Sequence, residues 1–125
     1  MIKTGNVKEI NSNNPLWFLG GFIDDPQFNT KDSHDFEVKL HHLQAGETYP
    51  LKQSILTDPT CKSMVICVYG NFIYSFLQDD ETYGDYQLDA EGEYVFWTPD
   101  TNHQVVVYKD SVALTVRWYE TEQQH

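Results

Sequence analysis

The sequence predicts an all-β domain, built as a sandwich or a barrel, and three observations carry that expectation. Beyond residue 36 apolar and polar side chains mostly alternate with a period of two, the signature of strands with one buried face. Gly, Pro, Asn and Asp punctuate these runs at short intervals, as in sandwiches and barrels. No stretch holds a helical period of useful length, and the 14% aromatic content, with 8 Tyr and 7 Phe, suits sheets.

Residues 1–14, rich in Asn and Lys, are expected to form a flexible arm. Trp17, Phe18, Leu19, Phe22 and Ile23 make an apolar patch around Gly20-Gly21, read as a short edge element packed on the main sheet. Asp24 to Ser33 holds Asp, Pro, Asn and Ser and is a loop. Phe36, Val38, Leu40 and His42 then alternate with Glu37, Lys39 and His41 in a clear strand, turned at Ala45-Gly46-Glu47. Residues 48–62, with Pro50 and Asp58-Pro59, read as a long irregular connection. Ser63 to Tyr69 and Asn71 to Leu77 are strand-like runs, with Gly70-Asn71 between them as a tight turn. The acidic stretch Asp79 to Asp85 reads as a solvated loop tip. Tyr94 to Thr98, Gln104 to Tyr108 and Val112 to Tyr119 complete the strands, with a turn expected at Lys109-Asp110.

A chain of 125 residues, 40% of them hydrophobic, can build one core. The expected organisation is an arm over 1–14, one domain over 15–120 and a tail over 121–125. With 8 Lys and Arg against 19 Asp and Glu, the net charge of −11 repels phosphate backbones and anionic lipid. Nucleic acid and membrane are therefore not expected partners. Met1 to Asn14 is too polar for a secretion signal. The longest apolar run, Met64 to Leu77, is interrupted by Gly70 and Asn71. A cytoplasmic protein is the expectation. Cys61 and Cys67 have no metal spacing; they allow one disulfide or two free thiols.

One segment carries a recognisable pattern. Gly92-Glu-Tyr-Val-Phe-Trp-Thr-Pro99-Asp-Thr-Asn-His103 resembles the second motif of the cupin superfamily. Gly92 and His103 stand at the family's separation, the proline is displaced by one place, Asp100 replaces the second glycine, and Val107 stands where Asn belongs. Glu37-Val-Lys39, Ala45-Gly-Glu47, Val68-Tyr-Gly70 and Thr115-Val-Arg-Trp118 fall in the order seen in small stand-alone cupins. The resemblance implies a double-stranded β-helix, with His103 pointing into the barrel. The first cupin motif departs from the family. Counting forward from Gly46 puts Lys52 and Ser54 at the two His positions; counting back from Gly70 puts Ser63 at the Glu position and Asp58 or Pro59 at the second His. A mononuclear metal site of the family's kind needs three or four imidazole and carboxylate ligands, so no metal and no cofactor is expected.

Three residues are the candidate ligand-binding set. His103 is a pocket acid, base or hydrogen-bond donor, or else a satisfied core histidine. Tyr69 is expected on the inward face with Ser63, Val65 and Cys67, its hydroxyl available to a ligand. Arg117, the only arginine, sits in an apolar strand and either pairs with Glu37 or binds an anionic ligand. Of His41 and His42 at most one can face the barrel, where with His103 it would rebuild part of a metal site; the favoured reading is two surface histidines. Cys67 reads as an apolar filler. Phosphate loops, a Ser-His-Asp order and paired carboxylates at defined spacing are absent. The function expected is a small-molecule-binding cupin with an interior pocket and no standard metal site. The alternatives are a metal-dependent enzyme with an irregular ligand set that includes His103, and a structural domain with a filled barrel. A homodimer is expected, paired through Trp17, Phe18, Phe22 and Ile23.

Overall fold

Two strands of 17 residues each organise the molecule: β4 (Cys61–Leu77) and β7 (His103–Tyr119). Around them lie β1 (Trp17–Leu19), β2 (Glu37–Leu43), β3 (Thr48–Lys52), β5 (Tyr83–Leu88) and β6 (Tyr94–Trp97). The computed structural model describes the chain except residues 2, 5, 15, 31–35, 53–59, 79, 99–101 and 120–125, and only the backbone of 50–52. All pairings are antiparallel within one seven-stranded sheet, and β4 and β7 pair with each other along nearly their whole length.

The sheet folds over at the middle of these two strands. The N-terminal half of β4 pairs with β6 and its C-terminal half with β5; the C-terminal half of β7 pairs with β2 and its N-terminal half with β3. One leaf is therefore β1-β2-β7-β4-β6 and the other β3-β7-β4-β5. Register shifts between Cys67, Tyr69, Asn71 and Phe72 mark the fold line. Such bulges bend and twist a strand without ending it. The expected turn at Gly70-Asn71 is thus a bend inside β4, and the expected turn at Lys109-Asp110 is a bend inside β7.

Gly70 has φ +114°, and a Cβ there would lie 2.5 Å from the Ser111 Cα. Only glycine lets the two strands cross so closely. Ser111 stitches the crossing: its hydroxyl accepts from the Asn71 N–H at 2.9 Å and donates to the Lys109 carbonyl at 2.6 Å. The turn between β2 and β3 closes over the same end, with Gly46 N–H donating to the Val107 carbonyl at 2.9 Å.

Two elements escaped the sequence pattern. β3 lies within the expected irregular connection, and β5 begins within the expected acidic loop tip. The N-terminal segment read as a flexible arm holds a short 3-10 turn at Val7–Glu9, and Lys3 reaches Asp25 at 2.8 Å and lies over the Phe28 ring. The expected tail, 121–125, lies outside the described residues. Between the leaves, Val65, Cys67, Phe72, Leu88, Val107 and Ala113 are all but inaccessible and form the centre of the core. Among the described residues no helix is long and apolar enough to cross a membrane.

Candidate functional site

The pleat decides which side chains enter the space between the leaves. On the first leaf, cross-strand rows place Glu37 opposite Arg117 and Arg117 opposite Ser63, then Lys39, Thr115 and Val65, then His41, Ala113 and Cys67. On the second leaf the rows are Phe72 with Val107, Tyr74 with Val105, and Phe76 with His103. The interior is consequently graded. Near the bend it is apolar except for His41; farther out it carries the carboxylate, guanidinium, amine and phenol groups and the His103 imidazole.

A recess of about 50 Å³ opens among these polar groups, lined by Lys39, His41, Tyr49, Tyr74, His103 and Gln104, with Leu43 and Val105 behind. The His103 ring stacks on Tyr74 at 5.7 Å with 14° between planes, and it meets Trp97 at 5.2 Å and Phe76 at 5.6 Å. His41 packs edge-on against Tyr49 at 5.4 Å, while His42 is exposed on the other face. Alternation lets only one of the pair face inward, and His41, expected at the surface, is the one that lines the recess with His103. Burial lifts the Tyr74 phenol well above the usual tyrosine range. Burial, then the neighbouring Glu47 carboxylate, pushes Tyr49 up as well. Both phenols stay protonated at neutral pH, and that of Tyr49 donates to Glu47.

Arg117 is engaged elsewhere. Its Nε donates to Glu37 Oε1 at 3.1 Å, its second nitrogen bonds Glu37 Oε2, and the Tyr119 hydroxyl donates to the same carboxylate at 2.9 Å. The guanidinium also lies 4.6 Å above the Trp17 ring. Burial alone would lower its pKa; the bonded Glu37 carboxylate outweighs that and holds it above its ordinary value. Of the alternatives for Arg117, the structure shows the pair with Glu37.

Tyr69 does not face the interior. It is 53% exposed, with the Lys109 amine 4.6 Å above its ring. The bulge after Cys67 breaks the alternation that would have turned it inward. Cys61 and Cys67 are buried free thiols, pushed up in pKa chiefly by burial. Six residues apart on one strand, they are separated by roughly 20 Å and cannot be bridged.

Residues that sequence reasoning missed are Tyr49, Tyr74, Lys39 and Gln104. Lys39 was legible as a member of the Glu37–His41 face. Tyr74 and Tyr49 were not, because their position depends on how the leaves face each other. Pro99 and Asp100 of the motif, with Ser54, Asp58 and Pro59, lie outside the described residues. Among the described residues no three His, Cys, Asp or Glu side chains gather as a metal site. Among the described residues, the two imidazoles, protonated phenols and lysine of the recess do not make up the three or four imidazole and carboxylate ligands of a mononuclear metal site.

No family model and no curated protein matches the chain. Solved structures do match. KdgF from Halomonas sp. superimposes with a TM-score of 0.54 at 15% identity, over 70% of this chain and 72% of that one. The Drosophila melanogaster CENP-C cupin domain gives 0.54 at 15%, over 69% and 66%. Bacillus subtilis oxalate decarboxylase, described with Mn(II) centres, gives 0.57 at 10%, over 74% of this chain and 23% of that one. At such identities the likeness is one of architecture, and with the folded-over antiparallel sheet described above it establishes that this chain has the cupin fold.

Proposed function

We propose that the protein binds a small molecule bearing a carboxylate or a similar acceptor group in the recess between His41 and His103. One observation carries this reading. Among the described residues every polar side chain lining the recess carries a hydrogen-bond donor and none is a carboxylate, in a chain with 19 Asp and Glu; of these donors the Tyr49 hydroxyl is engaged by Glu47. Lys39 adds positive charge to the donors. A half-enclosed recess of about 50 Å³ suits a group of carboxylate size or the few waters it would displace. Glu37 on the same strand face is taken up by Arg117 and Tyr119, and Glu47 behind the recess by the Tyr49 hydroxyl. Of the residues expected to touch a ligand, His103 remains; Arg117 and Tyr69 do not line the recess.

Sodium acetate titrated against sodium chloride at equal ionic strength tests this, followed through the imidazole resonances. Acetate should shift His41 and His103 saturably, chloride should not, and His103→Ala should abolish the response. Equal, non-saturating shifts with both salts would refute the reading.

A further inference from the structure

The barrel wall has a lateral opening. β5 and β6 each pair with β4 alone, so each presents an unpaired edge among the described residues. Between them runs a groove of about 520 Å³ lined mainly by Phe76, Tyr86, Tyr94, Phe96 and Trp97. That volume falls within the range of small-molecule sites. Its openness shows in one comparison. Tyr86 stands opposite Tyr74 and shares the inward side of β5 with Leu88. Leu88 is 1% exposed, Tyr86 47%. Tyr94 and Phe96 on the facing edge are 64% and 45% exposed.

The chain segment that supplies β5, β6 and the turns beside them is strongly acidic. Asp80, Glu81, Asp85, Asp89, Glu91 and Glu93 lie on β5 and the turns that connect it to β4 and β6, and residues 79–97 include no Lys or Arg. Hydrogen bonds fix two of these charges. The Asp89 and Ala90 N–H groups hold Glu93 below the usual carboxylate range, and Thr82 does the same for Asp80. Aromatic faces attract cations through their quadrupole, and an acidic rim raises the local cation concentration.

We propose that this groove is a binding site for a small organic cation with an apolar body, such as a quaternary ammonium or alkylated amine. The aromatic rings hold the alkyl groups and the charge, and Gln78 and Thr98 at the lining offer acceptors to any hydroxyl or N–H. The site is separate from the donor-rich recess, with Phe76 and Trp97 as the wall between them: both line the groove, and both rings touch His103.

Choline and its neutral isostere 3,3-dimethylbutan-1-ol provide the test, titrated into the intact protein by calorimetry and by the Trp97 indole resonance. Choline should bind at least about tenfold more tightly than the alcohol, and more weakly as salt is raised. Tyr94→Ala and Tyr86→Ala, both at exposed positions, should each weaken choline about fivefold or more. Phe22→Ala, outside the groove, should leave it unchanged. Equal affinity for alcohol and cation would overturn the proposal, as would indifference to both tyrosine variants. So would a choline affinity that falls as protein concentration rises even in the Leu114→Glu variant, which would assign the groove to a second copy of the chain.

Discussion

Glu37 illustrates how much one side chain can organise. Its carboxylate accepts from the Arg117 guanidinium and the Tyr119 hydroxyl, and so ties β2 to β7 where the two strands pair. Removing it strands a largely buried cation and a phenol at once. Glu37→Ala should therefore cost about 3 kcal/mol in chemical denaturation, and Arg117→Met less, because the remaining acid keeps Tyr119 and can take up a proton. The double-mutant cycle should show a coupling of at least about 1 kcal/mol; additive losses would dissolve the pair. This partnership was legible in the sequence, since a lone arginine in an apolar strand needs a mate and Glu37 lay on an early strand. Tyr69 was misread for an equally physical reason. Counting by twos from Ser63 holds only while the strand stays regular, and the bulge after Cys67 is set by a strand some forty residues away in sequence.

Elements were legible where they alternate cleanly and obscure where they sit at an edge. β2 and the halves of β4 and β7 follow the apolar period. β3 carries Pro50, and β5 reads Tyr-Gly-Asp-Tyr-Gln-Leu, polar and interrupted by glycine. Edge strands tolerate both, because one side of the ladder goes unused. Gly70-Asn71 was the subtler error: a glycine marks a special backbone position without saying whether the chain turns back or bends through. Two glycines separate the contributions. Gly46 has φ +85° and nothing near a would-be Cβ, whereas Gly70 has φ +114° and the Ser111 backbone in the way. Gly46→Ala should cost about 1 kcal/mol. Gly70→Ala should cost at least about 2 kcal/mol more, and Ser111→Ala should not rescue it, since removing Oγ leaves the Ser111 Cβ at 2.4 Å and Cα at 2.5 Å in the way. Similar losses at the two positions in denaturation curves would contradict a crossing this tight.

At the scale of the molecule, the expected apolar pairing patch is mostly used internally. Ile23 is 1% exposed, and Trp17 packs on Phe22 and beneath Arg117. Phe22 alone is left half-exposed. A better surface is the outward face of the first leaf, where Leu40, Leu114 and Ile66 adjoin, beside Val116 and Met64. These side chains are half-buried, and none of their outward-facing neighbours on β2, β4, β6 and β7 is a carboxylate. A face without carboxylates keeps the charge of two −11 chains out of the contact. We propose that a homodimer forms there. Light scattering should give twice the 14.6 kDa chain mass, more completely as salt screens the repulsion. Leu114→Glu should yield a folded monomer; a wild-type monomer at tens of micromolar in moderate salt would refute the pairing.

The sharing of β4 and β7 by both leaves has a consequence for how the protein comes apart. Neither leaf owns its central strands, so loosening one removes the other's hydrogen-bonding partners and its half of the core. Opening should thus be all-or-none across the barrel, with the slowest amide exchange along these two strands and no partly open species that exposes the recess while sparing the groove. Because β4 and β7 must find each other across a long intervening stretch before either leaf gains anything, assembly is also slow relative to a chain of local hairpins. Ligands in the two sites would then slow the same global opening and raise a single transition temperature together.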